Sequence, residues 1–147
     1  MLFRSIVDDY TDIDEIRPGN FVYYDLMQYS IGSCAIKDIA VCVACPVVGK
    51  EKSRNEVFIY GGAVHLSKEN IRYKDGRDYF GLIVRFDDKS WSEPLKSTFL
   101  DRISQEHGII KTDDDSFDSF NIGDLIGILP VHSCLTANLL KGEYLII

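Results

Sequence analysis

Two residues near the C-terminal end, His132 and Cys134, carry the side chains best suited to chemistry in this 147-residue chain. They lie in Pro130-Val131-His132-Ser133-Cys134, directly after the apolar run Leu125-Ile126-Gly127-Ile128-Leu129, which reads as a buried strand. If that strand continues, residues two apart point to one face. An imidazole nitrogen and a thiolate on one face can share one borderline cation, zinc above all. Two protein ligands leave positions open for water or a substrate oxygen, which is what separates catalytic from structural zinc. Spacing alone favours a plainer arrangement, a core histidine and a buried thiol, because a short His-x-Cys pair is not by itself a motif.

The remaining cysteines are Cys34, Cys42 and Cys45. Cys42-Val43-Ala44-Cys45 has the spacing of a redox or zinc pair. It lies inside Ile39 to Val48, which reads as a strand, so the two sulfurs diverge to opposite faces. No second pair completes a four-thiolate site, and the two are expected to be small core hydrophobes. The acidic runs Asp8-Asp9 and Asp113-Asp114-Asp115 lack the ligand spacing of a calcium loop and read as solvated loop charge.

The elements that must position these residues are short and extended. Strands are expected over 20–26 after the turn signal Arg17-Pro18-Gly19, over 39–48, over 57–60 into a bend at Gly61-Gly62, over 63–66, over 80–86, over 125–129 and over 144–147. Turn-rich stretches separate them at 49–55, 74–78, 87–94 and 113–118, and residues 95–103 fit a short helix or another strand. Residues 67–70 allow a single helical turn. About seven to nine short strands with frequent turns predict an all-β protein, a partly open β-barrel or a sandwich. Residues 1–19 are acidic with little strand pattern and read as a lead-in or linker from a missing upstream domain, and residues 20–147 as a single β-domain.

Bulk properties set limits on partners. The formal charge of −7 argues against nucleic acid, which needs a surplus of Lys and Arg. No apolar run is long enough to span a bilayer, and Met1-Leu2-Phe3-Arg4-Ser5 leads into acidic residues rather than a secretory signal, so a cytoplasmic location is the default expectation.

Several segments, taken in order, resemble one family. Residues 15–25, Glu15-Ile16-Arg17-Pro18-Gly19-Asn20-Phe21-Val22-Tyr23-Tyr24-Asp25, look like the opening of the C-terminal β-domain of the D-threonine aldolase and D-serine dehydratase family, relatives of alanine racemase. Gly61-Gly62-Ala63-Val64-His65-Leu66-Ser67-Lys68 resembles its central strand and turn. Ser104-Gln105-Glu106-His107-Gly108 resembles its Ser-x-Glu-His-Gly motif. Gly123-Asp124-Leu125 with Pro130-Val131-His132-Ser133-Cys134-Leu135-Thr136 resembles its terminal metal motif. The match runs from about residue 15 to residue 140.

The resemblance implies a lyase built from an N-terminal (β/α)8 barrel and this β-domain. Pyridoxal phosphate is held by a barrel lysine, and a divalent metal binds the β-hydroxyl of a small D-hydroxy amino acid. By resemblance His132 and Cys134 are the metal ligands, with zinc favoured by the thiolate. His107 is a residue near the active site, an indirect support or a proton relay, for which a purely structural role is an equal alternative. His65 reads as structural. Arg17, Tyr23 and Tyr24 have no role that the sequence selects. The barrel, and with it the Schiff-base lysine and phosphate cradle, is absent, so cofactor binding is expected only in a full-length enzyme and this chain alone is expected to be inactive. Family enzymes are head-to-tail dimers in which the barrel of one subunit meets the β-domain of the other, so a homo-oligomer is expected. The alternative is a non-catalytic β-domain used for binding or assembly.

Overall fold

The structure is a computed structural model and describes residues 9–15, 17, 19–72, 76–143 and 145–146. Its centre is a closed six-stranded antiparallel barrel. The strands are β1 (Val43–Glu51), β2 (Glu56–Tyr60), β5 (Gly81–Val84), β6 (Phe99–Ile103), β7 (His107–Lys111) and β8 (Leu125–Pro130), in the order β1-β2-β7-β6-β5-β8 with β8 closing back on β1. A second sheet pairs β3 (Ile71–Arg72) with β4 (Asp78–Tyr79). Four short α-helices, α1 (Leu26–Ser30), α2 (Ala63–Leu66), α3 (Asp114–Asp118) and α4 (Ser133–Leu139), and two 3-10 turns, Ile36–Asp38 and Lys52–Arg54, complete the described elements. The all-β expectation is met, and full closure leaves the barrel without free edges.

Two apolar clusters explain why β8 is buried along nearly its whole length. Ile126 and Ile128 point into the barrel with Cys45, Val47, Ile59, Ile83, Leu100 and Ile110. Leu129 and the following Val131 face outward and are covered by Leu26, Ile71, Tyr79 and Trp91. Alternation of side chains across a strand divides the run between the two cores. Strand β1 is buried on its inner face, while its outward residues Ala44 and Val48 are exposed. Cys42 packs in the outer cluster and Cys45 in the inner one, so the two sulfurs do lie on different faces, and all four cysteines are free.

Several local expectations give way to tertiary contacts. Residues 20–26 are not a strand. Tyr24 turns to φ 50° and Asp25 caps α1, its Oδ1 accepting the Gln28 amide at 2.9 Å. Residues 63–66 are helix α2 rather than a strand, because the amides of Gly61, Ala63 and Val64 donate to carbonyls of the 104–106 turn. The acidic stretch 113–118 is helix α3 with Asp113 as its N-cap, and its two further aspartates sit in the first turn where negative charge is favourable. Asp8 lies outside the described residues. Residues 99–103 take the strand alternative, and Ser67–Asn70 is not helical. The terminal strand expected at 144–147 falls partly outside the described residues, and Leu145 and Ile146 are exposed and not in a strand.

Burial in the barrel has a measurable consequence at Cys45. The side chain is 1% exposed, and burial pushes the thiol from 9.0 up to about 12. The folded state therefore keeps a proton that the unfolded chain releases. Stability is fully present below about pH 9 and falls as pH rises towards about 12, at roughly 1.4 kcal/mol per pH unit from this thiol. Urea unfolding across the lower part of that window should show a steeper alkaline decline in the wild type than in Cys45→Ala. Parallel declines would contradict the assignment.

Candidate functional site

Strand β8 stops at Pro130, and the chain turns into α4. His132 is the helix N-cap, with extended backbone (φ −133°, ψ 92°), and Cys134 lies in the first helical turn. The premise that the strand runs on through both residues therefore fails; they are placed by a strand-to-helix turn instead. Its position is set by two segments that meet it at this end of the barrel.

The first segment is 24–25. Asp25 is 1% exposed, and its carboxyl group accepts the backbone amide of Ser133 at 3.1 Å, as well as the Gln28 amide and the Asn20 side chain. The Ser133 hydroxyl donates to the Tyr24 carbonyl at 2.6 Å, and the Met27 amide donates to the Val131 carbonyl. One buried carboxyl thus caps α1 and grips the main chain between His132 and Cys134. The second segment is 66–69. The Thr136 hydroxyl donates to the Leu66 carbonyl at 3.4 Å, and the Glu69 carboxylate meets Nδ1 of His132.

Two residues in these segments hold conformations that non-glycine residues seldom adopt: Tyr24 at φ 50° and Ser67 at φ 71°, ψ −178°. Such positions cost about 1–3 kcal/mol each and cluster at functional sites. The His132 and Glu69 side chains are 30% and 40% exposed, so the pair opens to solvent. Cys134 is exposed; partial burial and the nearby Asp25 carboxylate push its thiol up, so a metal binding there displaces a proton.

His132 and Cys134 suit a divalent cation by donor type. With Nδ1 committed to Glu69, the ring has Nε2 left to offer, and a soft thiol stands two residues on. Among the described residues no three His, Cys, Asp or Glu side chains gather into a ready-made cage, so a metal here would keep positions for other ligands.

His107 begins β7, exposed, in edge contact with Tyr60 at 5.6 Å between ring centroids and with its amide near the Ser104 hydroxyl. His65 also packs edge-on against Tyr60, and its Nδ1 accepts the Gly62 amide at 3.2 Å, a structural use. Arg17 pairs with Glu15 on the surface. Tyr24 contributes its carbonyl, and Tyr23 is part-exposed. Sequence reading passed over Asp25 and Glu69. For Asp25 a signal was present: Asp25 followed three residues later by Gln28 is a helix-start pattern. For Glu69 there was none.

Comparisons with known proteins agree with this architecture. Residues 40–146 match the family described as "Putative serine dehydratase domain". The chain belongs to that family, and its fold is that of the matching part, about a third, of an alanine racemase-like protein. It is 32% identical over 150 residues to D-serine dehydratase of Dictyostelium discoideum, covering 97% of this chain and 35% of that one. It is 26% identical over 130 residues to D-threo-3-hydroxyaspartate dehydratase of a Delftia strain, covering 84% and 33%. An alanine racemase-like protein from Idiomarina loihiensis superposes with a TM-score of 0.77 at 32% identity, over 89% of this chain and 35% of that one. The solved Delftia enzyme gives 0.69 at 26% identity, over 80% and 32%. Its solved variants include an alanine substitution of a histidine and one of a cysteine two positions later, the latter in a metal-free form. The chain spans about a third of the length of the curated relatives it matches. Among the described residues no helix is long and apolar enough to cross a membrane.

Proposed function

We propose that this chain is the β-domain part of a metal-assisted, pyridoxal phosphate-dependent dehydratase acting on a small D-β-hydroxy amino acid, and that His132 and Cys134 hold the metal. The observation that carries the reading is a His-x-Cys pair at the strand-to-helix turn after β8, with the inner ring nitrogen already engaged by a carboxylate. The Delftia relative, with solved variants at a histidine and a cysteine of the same spacing, supports it. When bound, the metal supplies Lewis acidity towards the substrate hydroxyl and the cofactor of the whole enzyme supplies the electron sink.

The chain's own part is to hold and orient. Asp25 and Ser133 keep the turn in place, Glu69 keeps the His132 ring in place, and Cys134 gives a sulfur donor beside an open face. Val22, ahead of α1, Val64 of α2 and Leu135 and Leu139 of α4 stay exposed. They suit contact with a barrel domain, from the same or a partner subunit, that carries the cofactor and closes the site. The substrate and the dimer follow the same family logic.

Zinc bound after dialysis, measured by elemental analysis, tests the reading. The 147-residue chain is expected to retain zinc, and His132→Ala and Cys134→Ala each to lower its affinity at least about tenfold. A wild type without zinc, or variants that bind as well, would refute the site. With pyridoxal phosphate and D-serine the chain alone is expected to form no pyruvate; measurable turnover would show that it is more than a part of the enzyme.

A further inference from the structure

We propose that Glu69 is a positioning residue that keeps His132 in the tautomer able to bind a metal through its outer nitrogen. The inference rests on the reading of His132 as a metal ligand. Glu69 Oε2 lies on His132 Nδ1, and an ionised carboxylate can only accept, so Nδ1 carries the proton. In a neutral imidazole the lone pair is then on Nε2. The carboxylate also fixes the ring's rotation about its own axis and makes the free nitrogen a better donor.

The path of the chain supports a built contact rather than a chance surface pair. Glu69 and His132 are 63 residues apart and belong to different elements. Glu69 is delivered by the turn after α2, in which Ser67 is 8% exposed and sits at φ 71°, ψ −178°. Non-glycine residues hold that conformation only where their surroundings impose it. Here the Ser67 hydroxyl accepts the Glu69 amide at 3.4 Å, and the preceding carbonyl, of Leu66, accepts Thr136 of α4. The turn is thus tied to the helix that His132 caps. Asp25 fixes the main chain at Ser133. Ring and backbone are each set before any metal arrives, and the ring is set by Glu69.

Long-range proton–nitrogen NMR on the zinc-free chain with ring-labelled histidine reads the tautomer directly, at about pH 8.5 where an imidazole is ordinarily neutral. His132 is expected to be protonated on Nδ1 in the wild type and to lose that preference in Glu69→Ala. Chelator competition should show zinc binding weakened by about 10- to 100-fold in Glu69→Ala. Glu69→Gln keeps an acceptor oxygen and should recover part of the loss. Both variants should melt within a few degrees of the wild type, because the pair is part-exposed. Nε2 protonated in the zinc-free wild type, or zinc bound through His132 with unchanged affinity in Glu69→Ala, overturns the proposal. A wild type that takes no zinc but shows the Glu69-dependent Nδ1 proton refutes the metal reading while upholding the positioning.

Discussion

Replacing Asp25 by alanine is expected to lower the melting temperature by about 5–15 °C, the equivalent of roughly 2–4 kcal/mol in a chain of this length. The reason is the number of groups that one buried carboxyl satisfies. Its Oδ1 accepts the Gln28 amide as the cap of α1, and its Oδ2 accepts the Ser133 amide and the Asn20 side chain. A lost N-cap alone costs about 0.5–2 kcal/mol, and a buried donor left without a partner adds about 1–3. The substitution also frees the main chain between His132 and Cys134, so reduced zinc affinity should accompany the lower melting temperature. Asp25→Asn either keeps the cap and turns its amide group towards the donors on the Oδ2 side, or satisfies those donors and loses the Gln28 bond, and should fall between. Thermal melts that leave Asp25→Ala within about 2 °C of the wild type would remove Asp25 from the support of the site.

Gly62→Ala is expected to be comparably severe, at about 2–4 kcal/mol, for a different reason. The backbone of Gly62 is extended (φ −125°), so no conformational demand calls for glycine there. The demand is space. A Cβ at this position would lie 2.6 Å from the Glu106 carbonyl carbon and 2.7 Å from the Gln105 oxygen and His107 nitrogen. All three are main-chain atoms with no rotamer to escape into, and the same turn takes the amides of Gly61, Ala63 and Val64. The added methyl must therefore push the 104–107 turn away from α2 and break those hydrogen bonds, displacing His107 as well. Gly19→Ala is the internal control: nothing lies within 4 Å of its Cβ position, so its effect should stay within about 0.5 kcal/mol. Equal denaturation midpoints for the two variants would contradict the close approach.

These two residues mark the limits of local reading. Gly61-Gly62 is recognisable as a bend from composition alone, but the need for glycine at 62 comes from a turn more than forty residues later in the chain. Asp25 carries a helix-start pattern in its neighbours, yet its bond to Ser133 spans 108 residues.

By itself the sequence determined the all-β class, the placing of β2, β5 and β8 and most of β1, and the family, and it singled out His132 and Cys134 as candidates. Those follow from short-range periodicity and from residue types in a fixed order, which need no knowledge of what lies across the molecule. Only the tertiary structure decided that the barrel closes, through pairing of residues 43–46 with 125–128. It alone decided that 63–66 coil into a helix, that the final strand gives way to a helix at His132, and that Glu69 reaches His132. Each of these is a contact between segments distant in the chain. Hydrophobic periodicity reports which face of a segment is buried, not which other segment buries it, and so the partners that orient the site were left for the fold to choose.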